Sequence, residues 1–207
     1  MNKKYLDIAA HYEKCLERHG DTHWGVDWPR KKDVEVRYRV MLDLLRPAAG
    51  KIKLLDFGCG ASHLYEYIRR KKYLNLEYIG LDISKPFIDL SKKKHPKNRY
   101  LCLDVLRDPG KLPVFDYAVM NGVYTQKRNL SQAEMFDLLK KQVKIVFGRA
   151  RRGVAFNVMS GRVDWKRREA FHLDFDELAS FLVKEVSRDF VFRHDYGLYE
   201  FTTYLYK

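Results

Sequence analysis

Cysteine is scarce in this chain of 207 residues: only Cys15, Cys59 and Cys102. They have no CxxC spacing and are too few for a disulfide framework or a structural zinc site, so a reducing cytoplasm is expected and no metal is called for. Long apolar runs are also missing. The opening MNKKYLDIAAHYEKCLERHG carries charge every few residues, which leaves no stretch for a signal peptide or a membrane span. Proline, glycine and serine never gather into a linker, and there is neither a repeat nor a low-complexity segment. One domain is therefore expected over residues 50–207, with an extension over 1–49. Acidic residues are in deficit, 27 against 40 Lys and Arg, a net charge of +13. Such a surface attracts anions: nucleic acid, an acidic membrane or a phosphorylated small substrate. The cations are spread from Lys3 to Lys207, and short runs such as Lys92–Lys94 and Arg149–Arg152 read as solvated surface.

From about residue 50, short apolar runs alternate with amphipathic stretches, as βαβ units around a parallel sheet require. IKLLDFG (52–58), EYIGLD (77–82), RYLCLD (99–104), FDYAVMN (115–121) and GVAFNVM (153–159) read as strands with the near-continuous apolar character of buried parallel strands. Helices are expected at Leu64–Lys72, Pro86–Lys94 and 131–147, the last opened by Ser131 and Glu134 at capping-box spacing. The segment 105–113 is too short and too rich in Pro and Gly for a third crossover helix. A helix at Phe175–Val186 then precedes FVFRHD and LYEFTTYLY. Tyr196 and Gly197 are read as the joint between these two strands, a turn that allows only an antiparallel hairpin. Upstream, Tyr5, Ile8, Tyr12, Cys15 and Leu16, and then Val34, Tyr38, Met41, Leu42 and Leu45, recur at helical spacing. Between them lies DTHWGVDWP, unusually rich in Trp, His and Asp for a connector.

The first strand runs into DFGCGASHLYEY, where Gly58 and Gly60 let the backbone approach a ligand. Asp82 ends the next strand about twenty residues on, where a carboxylate can accept from ribose hydroxyls, and Asp104 ends the third. A nicotinamide or flavin dinucleotide would call for a third Gly at position 63, which is His. LLDFGCGASHL, YIGLDIS, YLCLDV and FDYAVMNGVY resemble motifs I to IV of class I S-adenosylmethionine-dependent methyltransferases, and the likeness covers about residues 50–207. It implies an α/β, Rossmann-like, seven-stranded sheet whose last strand inserts beside the fifth, under an N-terminal helical lid. It implies S-adenosyl-L-methionine as cofactor. Asp56, Gly58 and Gly60 would hold the methionine part, Asp82 would bind the ribose hydroxyls with Ile83 beside it in the cofactor site, Asp104 and Val105 would flank the adenine, and Asn121 with Gly122 would line the sulfonium and the acceptor. Arg37 and Tyr38, about twenty residues before the Gly turn, are within reach of the methionine carboxylate; Tyr38 reads equally as a core residue. Ser62 replaces the third small residue of motif I and is expected to cap the helix that follows.

Motif IV reads NGVY rather than [DN]PP[YF], which argues against exocyclic amines of bases as acceptors, and no cysteine sits where a cytosine carbon-five nucleophile is needed. HGDTHWGVDWP, AFNVMSGRVDW and RHDYGLYEFTTYLYK resemble small methyltransferases of bacterial capsule and surface-polysaccharide clusters. That likeness implies a phosphorylated, phosphoramidate or nucleotide-linked saccharide precursor methylated on O or N. His23 and His194 are the candidate general bases. His19, Trp24, Asp27, Trp28, Tyr124, Asn157 and Tyr199 are the candidate acceptor residues. An RNA methyltransferase, suggested by the charge, and a non-catalytic cofactor-binding module remain as alternatives.

Overall fold

The computed structural model describes residues 3–73 and 75–207. A 3-10 turn, Lys3–Tyr5, leads into α1 (Leu6–His19), and a loop over 20–30 leads into α2 (Lys31–Leu42). Then follow β1 (Ile52–Phe57), α3 (His63–Arg70), β2 (Leu76–Asp82), α4 (Lys85–Lys94), β3 (Arg99–Cys102), β4 (Phe115–Tyr124), α5 (Gln132–Arg149), β5 (Ala150–Ser160), β6 (His172–Leu173), α6 (Phe175–Glu185), β7 (Phe190–Arg193) and β8 (Glu200–Tyr206). Among the described residues no helix is long and apolar enough to cross a membrane.

The strands order as β3-β2-β1-β4-β5-β8-β7, and β8 runs antiparallel between β5 and β7. This is the expected class I methyltransferase sheet. It gains one strand beyond the seven expected, because β6 adds two residues parallel to Met159 and Ser160. The final hairpin also differs: β7 ends at Arg193 and β8 begins at Glu200, so the connection spans 194–199 rather than the Tyr196–Gly197 turn. Its extra residues are held locally, His194 Nδ1 lying 2.8 Å from the Glu200 carbonyl and Tyr196 Oη 3.0 Å from Thr202 Oγ1. The segment 105–113 forms only the 3-10 turn Pro109–Lys111, as its composition requires. The capping box of α5 is made in full: Ser131 Oγ accepts from Glu134 N at 3.1 Å, and Glu134 Oε2 accepts from Ser131 N at 2.8 Å.

Alternation along each strand divides the core between two faces. Leu55, Ala118, Met120, Val154, Phe156 and Phe201 point toward α5 and α6, whereas Leu54, Tyr117, Val119, Ala155 and Tyr204 point toward α2, α3 and α4. α2 buries Val34, Tyr38, Val40, Met41 and Leu42 in that second cluster. It is a core helix, then, and the part of the extension that overlies the carboxyl ends of the strands is α1 with the loop after it.

One polar tie fixes α2 to the last strand. Arg37 Nε donates to both carboxylate oxygens of Glu200, at 3.0 and 2.8 Å, and Glu200 is 1% exposed. Glu200 Oε1 also accepts from Asn157 Nδ2 at 2.8 Å, and Asn157 Oδ1 accepts from Gly122 N at 2.7 Å. A buried carboxylate in this setting is tolerable because it is paired with a guanidinium and hydrogen-bonded on both oxygens. Removing one partner strands the other, so Glu200→Ala is expected to cost about 3–5 kcal/mol of unfolding free energy. Pairing it with Arg37→Met should recover a large part of that loss, as measured by chemical denaturation in a double-mutant cycle.

Candidate functional site

The strand order reverses between β1 and β4, and the carboxyl ends of the strands there open into a crevice. Open α/β sheets bind ligands at such a switch point. Of the sequence-derived cofactor residues, Tyr38, Asp56, Gly58, Gly60, Asp82, Ile83, Asp104, Val105 and Asn121 line it.

The floor is the turn after β1. Gly58 N and Cys59 N donate to the Leu81 carbonyl at 2.7 and 3.0 Å, and Gly60 N donates to Asp82 Oδ2 at 2.9 Å. Asp82 Oδ1 accepts from Ser84 N at 2.9 Å, so one carboxylate clamps the turn to the start of α4. Gly60 has φ +49° and Gly58 φ +71°, a left-handed region that a side chain would strain. Ser62 too is left-handed, at φ +60°. Here the structure corrects the expectation that Ser62 caps α3 through its side chain. Its Oγ turns away instead, to 2.9 Å from Ser91 Oγ and 3.1 Å from Tyr100 Oη, and so packs α4 against the turn.

Three carboxylates converge in this crevice. Burial pushes Asp56 up to about 7; the hydrogen bond donated by Tyr78 Oη at 2.7 Å opposes the rise, and the Asp82 charge adds to it. Burial also raises Asp82, against the backbone donors from Ser84 and Gly60. Asp104 Oδ2 accepts from Tyr5 Oη of the N-terminal turn at 2.7 Å, and Asp104 Oδ1 accepts from Leu106 N at 3.0 Å. Burial, with that bond adding to it, pushes Tyr5 up to about 12. Two further groups are telling: Asn121 Oδ1 and Gln142 Oε1, both on residues lining the crevice, are buried and have no partner among the described residues. Buried amide oxygens are stable when they accept a hydrogen bond, so both fit a ligand that brings donors.

The roof comes from the extension. Tyr5, Ile8, Ala9 and Tyr12 of the N-terminal turn and α1, and Val26 and Trp28 of the loop, face the crevice. Trp28 lies so close to Gly122 (φ +76°) that a Cβ there would meet its ring at 2.6 Å, and the Arg37 guanidinium stacks 4.2 Å from the Trp28 ring centre. Arg37 thus reaches Glu200 and Trp28 and does not line the crevice. Asn157 is fully buried behind Gly122, and Tyr124 is fully buried with its hydroxyl 3.9 Å from Met120 Sδ.

Of the candidate bases, neither lines the crevice. His23 Nδ1 lies 2.6 Å from the Trp28 carbonyl, holding the loop, and His194 packs against Phe175 and Phe201 at the far hairpin. His19 and Trp24 sit together beside His23, with Trp24 exposed; Asp27 pairs with His11 at 2.9 Å; Tyr199 is exposed beside Trp165. Tyr5, Tyr12, Val26, His63 and Gln142 line the site without having been singled out in the sequence. Tyr5 and Tyr12 read there as apolar helix positions, because periodicity registers a ring and not its hydroxyl.

Residues 55–144 match the sequence profile of a methyltransferase domain. Over 160 residues the chain is 23% identical to the inferred methyltransferase Rv1506c of Mycobacterium tuberculosis, spanning 75% of this chain and 93% of that protein. Among solved structures it is similar to the magnesium protoporphyrin IX methyltransferase of Synechocystis PCC 6803 with bound S-adenosylhomocysteine (TM-score 0.62, 11% identity, 99% of each chain). It is also similar to the 1,6-didemethyltoxoflavin-N1-methyltransferase of Burkholderia thailandensis with bound 1,6-didemethyltoxoflavin and S-adenosylhomocysteine (TM-score 0.63, 14% identity, 100% of this chain and 91% of that one). The sheet order is that of the class I methyltransferase fold, and residues 55–144 carry the match to a methyltransferase domain.

The raised Asp56 carboxyl sets a pH dependence. The folded protein keeps this proton up to about pH 7 while the unfolded chain releases it near 4, so the group's contribution to stability is complete at low pH and declines as pH rises between those values. Asp56→Asn is expected to flatten the fall in unfolding free energy across that window, as read by urea denaturation at a series of pH values.

Proposed function

We propose that the chain transfers a methyl group from S-adenosyl-L-methionine, held in the crevice, to an O or N atom of a small anionic acceptor that enters beneath α1 and the loop over 20–30. The observation that carries this reading is the convergence of Asp56, Asp82 and Asp104 at the switch point, in a crevice also lined by Asn121, whose buried oxygen has no partner among the described residues. A sulfonium donor supplies an already activated methyl, so no metal or covalent intermediate is required. Asp82 would accept from the ribose hydroxyls while keeping its grip on Gly60 and Ser84. Asp104, Val105 and Gln142 would meet the adenine. Asp56 and the turn at 57–60 would hold the amino-acid end.

The acceptor side is argued from charge. The segment after β5 is stitched to the end of β4, Lys127 N donating to the Glu169 carbonyl at 2.7 Å and Phe171 N to the Thr125 carbonyl at 3.0 Å. This places Lys127, Arg128, Arg167 and Arg168 on the same end of the sheet as the crevice. None of the four has a carboxylate partner among the described residues, and a phosphorylated or nucleotide-linked saccharide precursor, such as those of capsule assembly, suits that field. Trp28 would position the acceptor by closing the crevice against water, with His23 fixing the loop through the Trp28 carbonyl.

Calorimetry with S-adenosylhomocysteine tests the donor site. Binding with one-to-one stoichiometry is expected, and Asp82→Ala should weaken it by roughly 10- to 100-fold, the loss of hydrogen bonds to a charged acceptor. Unchanged affinity in a folded variant would reduce Asp82 to a structural clamp. For the roof, Trp28→Ala is expected to lower methyl transfer tenfold or more with S-adenosylhomocysteine affinity nearly intact, whereas His194→Ala should leave turnover per folded molecule unchanged. The opposite ranking would move the acceptor site to the far hairpin.

A further inference from the structure

Three side chains outside the crevice converge where α1 meets the loop. His11 and Cys15 lie one turn apart on the same helix face, the i, i+4 spacing that lets two ligands share one ion. Asp27 reaches them from the loop. His11 Nε2 lies 2.9 Å from Asp27 Oδ2 and 3.8 Å from Cys15 Sγ, and one donor atom from each of the three lies within 4.8 Å of the others. The His11 and Asp27 side chains are 21% and 31% exposed, and Cys15 is also partly covered, which leaves an approach from solvent.

We propose that His11, Cys15 and Asp27 form a binding site for a divalent borderline cation of the zinc class, which staples α1 to the loop. Tetrahedral zinc with a histidine nitrogen, a carboxylate oxygen and a thiolate sulfur at ordinary bond lengths sets its ligand atoms about 3.4–3.6 Å apart. The His11–Asp27 and His11–Cys15 separations fall either side of that figure and the third lies within 4.8 Å, so shifts of about an ångström or less complete the site, and water takes the fourth position. The hydrogen bonding of the metal-free cluster points the same way. A single ring nitrogen faces two partners: if Nε2 donates its proton to the Asp27 carboxylate, it cannot accept from the Cys15 thiol. A cation at the centre satisfies all three groups at once, with the imidazole bound as its neutral Nε2 donor and the thiol proton passing to solvent.

The staple has a consequence for the crevice. Asp27 adopts φ +57° and sits between Val26 and Trp28, both of which line the roof. Fixing Asp27 to α1 therefore fixes the roof against Ile8 and Tyr12. The site does not depend on the identity of the acceptor, and its test does not use methyl transfer.

The test is a titration of tag-free, chelator-treated protein with zinc chloride, with cobalt(II) chloride as the spectroscopic probe. One equivalent should bind, with a thiolate-to-cobalt absorption band and a rise in melting temperature under zinc. Zinc should slow alkylation of Cys15 at least tenfold while leaving the exposed Cys102 unaffected, which gives an internal reference. Cys15→Ser and Asp27→Asn, with circular dichroism confirming the fold, should each lose the equivalent or weaken it at least tenfold. Cobalt binding without a thiolate band, Cys15 alkylation equally fast with and without zinc, or full affinity in Cys15→Ser would each overturn the proposal. The alkylation arm needs only the wild-type protein, so it decides the matter even where a variant fails to fold.

Discussion

The buried pair of Arg37 and Glu200 is the constraint on which the arrangement of the site rests. Glu200 opens β8, Arg37 lies on α2, and Asn157 carries the interaction across β5 to the Gly122 amide at the bulge of β4. The same guanidinium stacks on Trp28, whose ring covers Gly122. The result is a closed circuit in which the last strand, the core helix, the crevice wall and the roof hold one another in place. Charges taken out of water are costly unless paired and hydrogen-bonded, so each member of the circuit is needed by the next. It also accounts for Gly122: any side chain there would push Trp28 away from the site.

Below the roof, Asp82 performs a second positioning task. Its carboxylate holds Gly60 N and Ser84 N, which fixes the left-handed turn after β1 and the start of α4 with one group. A carboxylate committed on two sides still has lone pairs for a ligand, and its cost in burial is expressed as the raised pKa. The turn that would receive the donor is thus preorganised by a residue that would also bind it, so little reorganisation is left for the binding step.

The sheet was legible in the sequence because alternating apolar runs and glycine turns report directly on buried parallel strands, and the acids Asp56 and Asp82 follow from strand position, whereas Asp104 lies two residues past the end of β3 rather than ending it. What escaped was set by contacts between distant segments. Arg37 has the right type and approximate place for a carboxylate ligand, and only the fold reveals that its carboxylate is Glu200. Asn157 and Tyr124 lie near the crevice in sequence order yet point into the core, since one residue along a strand exchanges faces. His23 lies in the Trp- and Asp-rich loop and His194 adjoins Asp195, and composition cannot say which way either histidine turns. Tyr5, Tyr12 and Gln142 were invisible for the converse reason: on an amphipathic helix a crevice-facing polar tip and a core-facing ring have the same period.

The central claim is that the crevice over β1, β2 and β4 holds the methyl donor through these acids. A crystal structure of the protein with S-adenosylhomocysteine tests it most directly. The account requires the ribose hydroxyls within hydrogen-bond distance of the Asp82 carboxylate, the adenine between Asp104 and Val105, and a donor from the ligand on the Asn121 amide oxygen. Ligand seated elsewhere, or in the crevice with Asp82 still bonded only to Gly60 and Ser84, would contradict it.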